Sequence, residues 1–433
     1  MSGNNATSIL FAALIASVLA MSCSSSRSAQ RDKPTVLAPA STTDAEILTP
    51  ENKSETGTGS PEVDPDSKPA AGRFQVALML PFTLDQRSLD QLRDQNPLKN
   101  NRPLVSLGLY EGVLMALDSL KKHNPGFDLF VYDTRNSAEE VRRITAKPEF
   151  RQTDLIIGPL FELELQEATS YARQEGIPIV SPLRKATGQQ RHPSFFAINP
   201  GEEDLLKLLG NELDRTERRS KILVIRQENE DDARLSLAFR SGVSDSSRRA
   251  QVLEIITNYR LSGIESHFSS VQPNILVVPS RDEVFVNALC RRLAGLRYTY
   301  NIQVYGLEDW REFGSITPDN FEKINLRFPV SYWPGIKPGF SSSFDLAYRE
   351  RYHSPPSEYV FRGYDLMLYF GRLLQVNGRK WPDPDKLPTR FAGMNDQFRF
   401  LAIPAATPSE PDHLSNRVLH IVRYQDNEFV TSP

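Results

Sequence analysis

The chain has 433 residues, 39% hydrophobic and 24% charged, an ordinary composition for a water-facing protein with room for two lobes. Its formal net charge is -3, and no basic concentration or nucleic-acid module stands behind it, which argues against nucleic acid as a partner. Its six histidines, His123, His192, His267, His353, His413 and His420, are scattered with no pair at metal-ligand spacing, so neither a metal nor a cofactor is expected.

In chain order, Ile9 to Met21 comes first, an apolar run too short to span a bilayer, which takes about 20 residues. It reads as the core of a secretion signal. Ser22-Cys23 follows, and a small residue before a Cys at the end of such a core resembles the lipobox of bacterial lipoproteins. The resemblance implies that Cys23 is lipidated and becomes the mature N-terminus. Two features depart from the pattern: Leu19 and Ala20 stand one place off the usual Leu, and no Lys or Arg precedes Ile9. An unlipidated secretion signal is the alternative. Ser24 to Arg73 holds no aromatic residue and is dense in Ser, Thr, Pro, Glu and Asp, so it cannot bury enough surface to fold. It is expected to be a disordered tether with a mean reach of about 40 Å. Ser24 to Ser26 gives no acidic cluster after the Cys, and by resemblance to lipoprotein sorting this implies the periplasmic face of the outer membrane.

The globular part begins at Phe74, with Val76, Leu78 and Leu80 forming the first strand. Asp85 to Arg102 is a polar insert, long for a loop. Leu104 to Leu120 reads as a helix, Phe127 to Tyr132 as a strand, and Ala138 to Ile144 as the opening of the next helix. The central unit is Asp154 to Pro182. Its strand ends at Gly158-Pro159, an amphipathic helix carries Leu163, Ala168, Tyr171 and Ala172, Gly176 stops that helix, and Ile177, Ile179 and Val180 form a second buried strand. Strand, crossover helix and parallel strand make one unit of a doubly wound α/β sheet, whose ligands sit beyond the carboxyl ends of the strands. The rhythm then repeats: helix Glu202 to Leu213, strand Lys221 to Ile225, helix Asp231 to Val243, strand Val252 to Thr257, strand Ile275 to Pro279, helix Asp282 to Ala294 and strand Ile302 to Gly306. Cys290 sits in an amphipathic pattern and reads as a small buried hydrophobe. Phe398 to Leu401, Val418 to Tyr424 and Glu428 to Val430 read as closing antiparallel strands.

A strand ending in IIGPL, a helix and then GIPIVSP resemble the first lobe of the type I periplasmic binding proteins, the family of leucine-type receptors. FQVALMLPF (Phe74 to Phe82), FVYDT (Phe130 to Thr134), FFAINP (Phe195 to Pro200), the helix Phe340 to Tyr352 and RGYDLMLYFGRLL (Arg362 to Leu374) resemble further family segments in the same order. The resemblance implies two doubly wound, Rossmann-like lobes joined by a multi-strand hinge. Residues 74–196 and 325–394 would form the first lobe, and 197–324 with 395–433 the second. The chain would cross near Ala197 and Arg327, with a third crossing near Asn395.

The chain has no P-loop, no Gly-x-Ser-x-Gly elbow and no GxGxxG after a strand, so no enzyme is expected. In a receptor the cleft is built from strand-end loops, which here gives Phe82, Phe161, Glu162, Leu183 and Arg184 on one wall and Gln227, Arg281, Trp310 and Trp333 on the other. The leucine-type receptors hold a ligand carboxylate with small hydroxyl residues at the place where this chain has Phe161 and Glu162. Glu162 would repel a carboxylate, although it equally suits the positive end of the helix it opens. The resemblance leaves two functions open. The first is a tethered solute-binding protein that closes on a small ligand, not a free amino acid, and serves an ABC transporter or sensor. The second is a ligand-free interaction lipoprotein in envelope or peptidoglycan biogenesis, docking on a protein such as a peptidoglycan synthase.

Overall fold

The apolar runs fold as two seven-stranded sheets in a computed structural model that describes residues 73–83, 102–121, 126–183, 192–334, 340–381, 384–391, 393–394, 397–404 and 411–431. All of these belong to one unit, Glu46–Pro433. The signal, Cys23, most of the tether and the polar insert lie outside the described residues.

In chain order the elements are β1 (Phe74–Leu80), α1 (Arg102–Leu120), β2 (Phe127–Asp133), α2 (Ala138–Thr145), β3 (Leu155–Ile157), α3 (Glu162–Glu175), β4 (Ile179–Ser181) and β5 (Phe195–Ala197). There follow α4 (Glu202–Thr216), β6 (Lys221–Arg226), α5 (Glu230–Gly242), α6 (Ser246–Gln251), β7 (Leu253–Ile256), β8 (Asn274–Val277), α7 (Glu283–Leu296), β9 (Ile302–Tyr305), α8 (Pro318–Lys323) and β10 (Leu326–Val330). The chain closes with α9 (Phe340–Tyr352), α10 (Glu358–Asn377), β11 (Phe400–Pro404), β12 (Pro411–Asn416), β13 (His420–Gln425) and β14 (Glu428–Thr431).

The first sheet runs β11-β12-β5-β4-β3-β1-β2 and the second β14-β13-β10-β9-β8-β6-β7. Strands β1 to β5 are mutually parallel, as are β6 to β10. The alternation along β1 explains why helices cover both faces of the first sheet. Val76, Leu78 and Leu80 enter one core with α1 and α10, while Ala77 and Met79 enter another with α2 and α3. Each lobe has a helix pair that meets backbone to backbone. A Cβ on Gly112 would lie 2.0 Å from the Val360 carbonyl oxygen, and one on Gly242 would lie 2.0 Å from that of Lys207. Only glycine permits those approaches.

The chain crosses between sheets three times, and two crossings fall later than the sequence suggests. After β5 it passes through Ile198 to Gly201 into α4. β10 pairs in parallel with β9, so Arg327 still belongs to the second sheet and the return comes at Ser331-Tyr332. The segment after Asn395 does not enter the second lobe directly. β12 adds in parallel to β5, and β11 pairs with β12, both in the first sheet. The third crossing is therefore Arg417 to Leu419, followed by β13 against β10. The physical reason is aromatic: Phe398 and Phe400 are fully buried against Tyr369 of α10, with ring centroids 5.1 Å and 6.0 Å away, which holds this stretch on the first lobe.

Candidate functional site

The three crossings are tied to one another by a single side chain. Asn416 is fully buried, and its amide donates to the carbonyl oxygens of Ile198 at 3.2 Å and Ser331 at 3.1 Å, one on each of the other crossings. Its own oxygen accepts from the backbone N–H of Arg399 and Val418. Beside it, Arg362 of α10 lies 4.4 Å over the Tyr332 ring and donates to Pro182 O and Asn199 Oδ1. The Tyr332 hydroxyl donates to the buried Asp365 at 2.8 Å. Burial, and then the negative Asp365, push that phenol well above its ordinary range, so it stays a neutral donor.

On the second lobe a cavity of about 890 Å³ opens beyond the carboxyl ends of β6, β7 and β8. β6 connects onward to β7 on one side while its other neighbour, β8, connects onward to β9 on the opposite side, and the crevice of such a sheet falls at that reversal. Gln227, Glu228 and Asn229 follow β6, Ile256 ends β7 and Thr257 to Arg260 follow it, and Pro279 to Asp282 follow β8. Both helices that start here carry their own caps. Asn229 accepts from Asp232 N at 2.8 Å, and Asp282 accepts from the N–H groups of Val284 and Phe285. Burial would raise Asp282, but the Tyr259 hydroxyl, Phe285 and the other donors outweigh it and hold the carboxyl below its usual range. Burial wins at Asp232, which is raised despite accepting from Gln227 N at 3.0 Å. Arg281 is already paired with Glu202 and, at 2.8 Å, with Asp309.

The first-lobe wall is built from the corresponding strand ends. Phe161 occupies the N-cap position of α3, whose start has no side-chain cap, and the first turn carries Glu162 and Glu164. Glu162 is partly exposed and accepts from Gln166. Glu164 instead turns inward and is 1% exposed, where burial raises its carboxyl and Asp133 adds to the rise. Phe82, Phe161 and Leu183 are half-buried against the first-lobe core, with Phe82 edge-on to Tyr110 at 6.0 Å. Near the hinge, Glu308 of the second lobe keeps 47% of its side chain exposed, yet the surrounding walls strip enough water to raise its carboxyl. Glu358 adds to that rise, while Arg362 and Arg311 oppose it.

The sequence-predicted site residues therefore fall into groups. Gln227 and Arg281 do line one cavity. Phe82, Phe161, Glu162 and Leu183 stand at strand ends of the facing lobe. Arg184 lies outside the described residues. Trp333 packs on Phe328 and under Arg311, at the hinge. Trp310 must be withdrawn as a stacking platform. It is wholly buried, its indole N–H donates to Ser280 O at 2.9 Å, and its ring presses on Gly306. Tyr259, Asp232 and Asp282 were missed. The readable signal for Asp282 was an Asp directly ahead of an amphipathic run, the mark of an N-cap. Among the described residues no cluster of three potential metal ligands occurs.

No family model matches the sequence, and no curated protein matches it. Solved structures do match. A protein of Rhodospirillum rubrum assigned to branched-chain amino acid ABC transport superposes with TM-score 0.58 at 17% identity, over 83% of this chain and all of that one. An ABC transporter substrate-binding protein of Desulfitobacterium hafniense in complex with Leu gives 0.51 at 14% identity, and the C-domain of LpoA from Haemophilus influenzae, a regulator of PBP1A, gives 0.51 at 16%, each over 83% of this chain and 100% of theirs. The chain has the two-lobed α/β fold of the leucine-binding, type I periplasmic binding proteins.

Proposed function

We propose, starting from a type I periplasmic binding protein fold, that this chain is an envelope protein holding a small solute between its lobes, and that the solute is not a free amino acid. One observation carries the reading: a large cavity at the switch point of the second sheet, in a cleft whose anion-binding positions are taken by the chain's own groups. A ligand carboxylate needs free backbone donors at a helix start. On the second lobe Asn229 and Asp282 occupy them, and on the first lobe Phe161 fills the space while Glu162 supplies like charge. Two like charges 4 Å apart at an effective dielectric of about 20 repel by about 4 kcal/mol. That is close to a thousandfold in affinity. The lobes close by bending at the three crossings.

The remaining parts of the reading rest on sequence. Cys23 carries the lipid, residues 24–73 tether the folded part, and the protein faces the periplasm from the outer membrane without acting as an enzyme. Protein purified from its own envelope and opened with denaturant is expected to release a small molecule detectable by mass spectrometry, and calorimetry with leucine, isoleucine or valine is expected to show no micromolar binding. Micromolar affinity for any of the three refutes the exclusion of amino acids.

A second reading is supported by the likeness to the LpoA C-domain, which is as strong as that to the leucine complex. In it the lobes carry no solute and dock on an envelope protein. Recovery of the protein without any small molecule, but crosslinked to one envelope partner, favours this reading.

A further inference from the structure

Resting on the solute-binding reading, we infer that the solute is an amphipathic cation, with its positive end in the second-lobe cavity and its apolar part against the first-lobe wall. The two walls differ in kind. In the cavity, Glu228, Asp231, Asp232 and Asp282 stand against Arg260 and Arg281, an excess of two negative charges when all are ionised. Arg281 is further neutralised by Glu202 and Asp309, which are not part of the lining. The Tyr259 ring is 53% exposed at this site, and its hydroxyl is bound to Asp282. That places an aromatic face beside a carboxylate, a combination that receives an ammonium group through ring and charge together. The strand ends of the first lobe carry Phe82, Phe161 and Leu183 as half-buried apolar surface, together with the negative Glu162. An anion meets the negative excess of the cavity, and a uniformly polar solute leaves the apolar wall unused. A cation with an apolar body satisfies both.

The experiment uses the full chain in mild detergent and three probes of one shape: tryptamine, its neutral alcohol tryptophol, and the anion indole-3-propionate. Calorimetry is expected to show tryptamine binding at least tenfold more tightly than the propionate. Glu228→Gln, a change at an exposed side chain, is expected to shrink that ratio severalfold, while Phe161→Ala weakens tryptamine and tryptophol by the same factor. Equal or tighter binding of the propionate overturns the charge assignment and leaves the solute reading standing. If none of the three binds, the molecule released from native protein decides. A cationic amphiphile upholds the inference, any other molecule overturns it alone, and no molecule at all removes the solute reading together with it.

Discussion

Arg311 of the second lobe and Glu358 at the start of α10 in the first are paired across the cleft at 3.3 Å. The guanidinium also lies 5.1 Å over the Trp333 ring and 5.7 Å over Phe429, so one side chain joins the second lobe, the hinge and the first lobe. With 27% and 41% of the two side chains exposed, the ion pair contributes about 0.2–1 kcal/mol. Ring contact adds about 0.5–1 kcal/mol. Only the ion pair spans the two lobes, so Arg311→Ala is expected to shift them toward separation by a factor of roughly 1.5 to 5, read as a longer dye-to-dye distance across the cleft in single-molecule energy transfer. An unchanged distance distribution would show that the pair does not restrain the lobes.

The hinge asparagine predicts a larger effect on stability. Asn416→Ala removes two donated and two accepted hydrogen bonds and leaves the Ser331 and Ile198 carbonyls without that partner. Each buried group left unsatisfied costs about 1–3 kcal/mol, so a loss of about 2–5 kcal/mol is expected in urea unfolding. A change under 1 kcal/mol would mean that water replaces the amide without penalty.

Three glycines make an internal comparison. Gly112→Ala and Gly242→Ala each drive a Cβ into a backbone carbonyl, whereas Gly295, in α7, has nothing within 4 Å of the added atom. The first two are expected to lower stability by about 2–4 kcal/mol through forced helix separation. Gly295→Ala should instead raise it by about 0.5–1 kcal/mol from helix propensity. Thermal unfolding that ranks the three alike would contradict the close packing of α1 on α10 and α4 on α5.

Glu164 predicts a pH dependence. Its carboxyl is raised above the ordinary value of 4.5 chiefly by burial, so the folded state holds the proton at pH values where the unfolded chain has lost it. The proton-linked stability is fully present below 4.5 and is lost as the pH rises through the folded value. Glu164→Gln removes this loss. The difference in melting temperature between variant and wild type should be smallest near pH 4 and grow in favour of the variant toward pH 8. A difference that does not change with pH would show that Glu164 titrates normally.

Much of the architecture was legible because buried parallel strands are short apolar runs ended by Gly or Pro, as in Leu155 to Pro159. β12 was not legible. Its sequence, Pro-Asp-His-Leu-Ser-Asn, has no strand pattern, and it is held by pairing with β5 and by the Asn416 bonds, neither of which leaves a local mark. Glu162 was readable as a helix-start charge, but Glu164, two residues on and so about 200° around the helix, is the one that faces inward. Trp310 looked exposed because it follows a strand. The space opened by Gly306, four residues earlier, lets its ring fold back into the core.

The Asn416 tie also sets an order of events during synthesis. It links residues 218 and 85 positions apart, and β13 must reach β10 after the whole of α9, α10, β11 and β12 has been made. The five parallel strands of the second sheet are complete at Val330, while the first sheet still lacks β11 and β12. A nascent chain therefore carries two open sheet edges, at β5 and at β10, until about its last tenth emerges, and such non-local closure is slow. The lobes acquire their common hinge only at the end, which leaves the unfinished chain pliable for as long as it is being made.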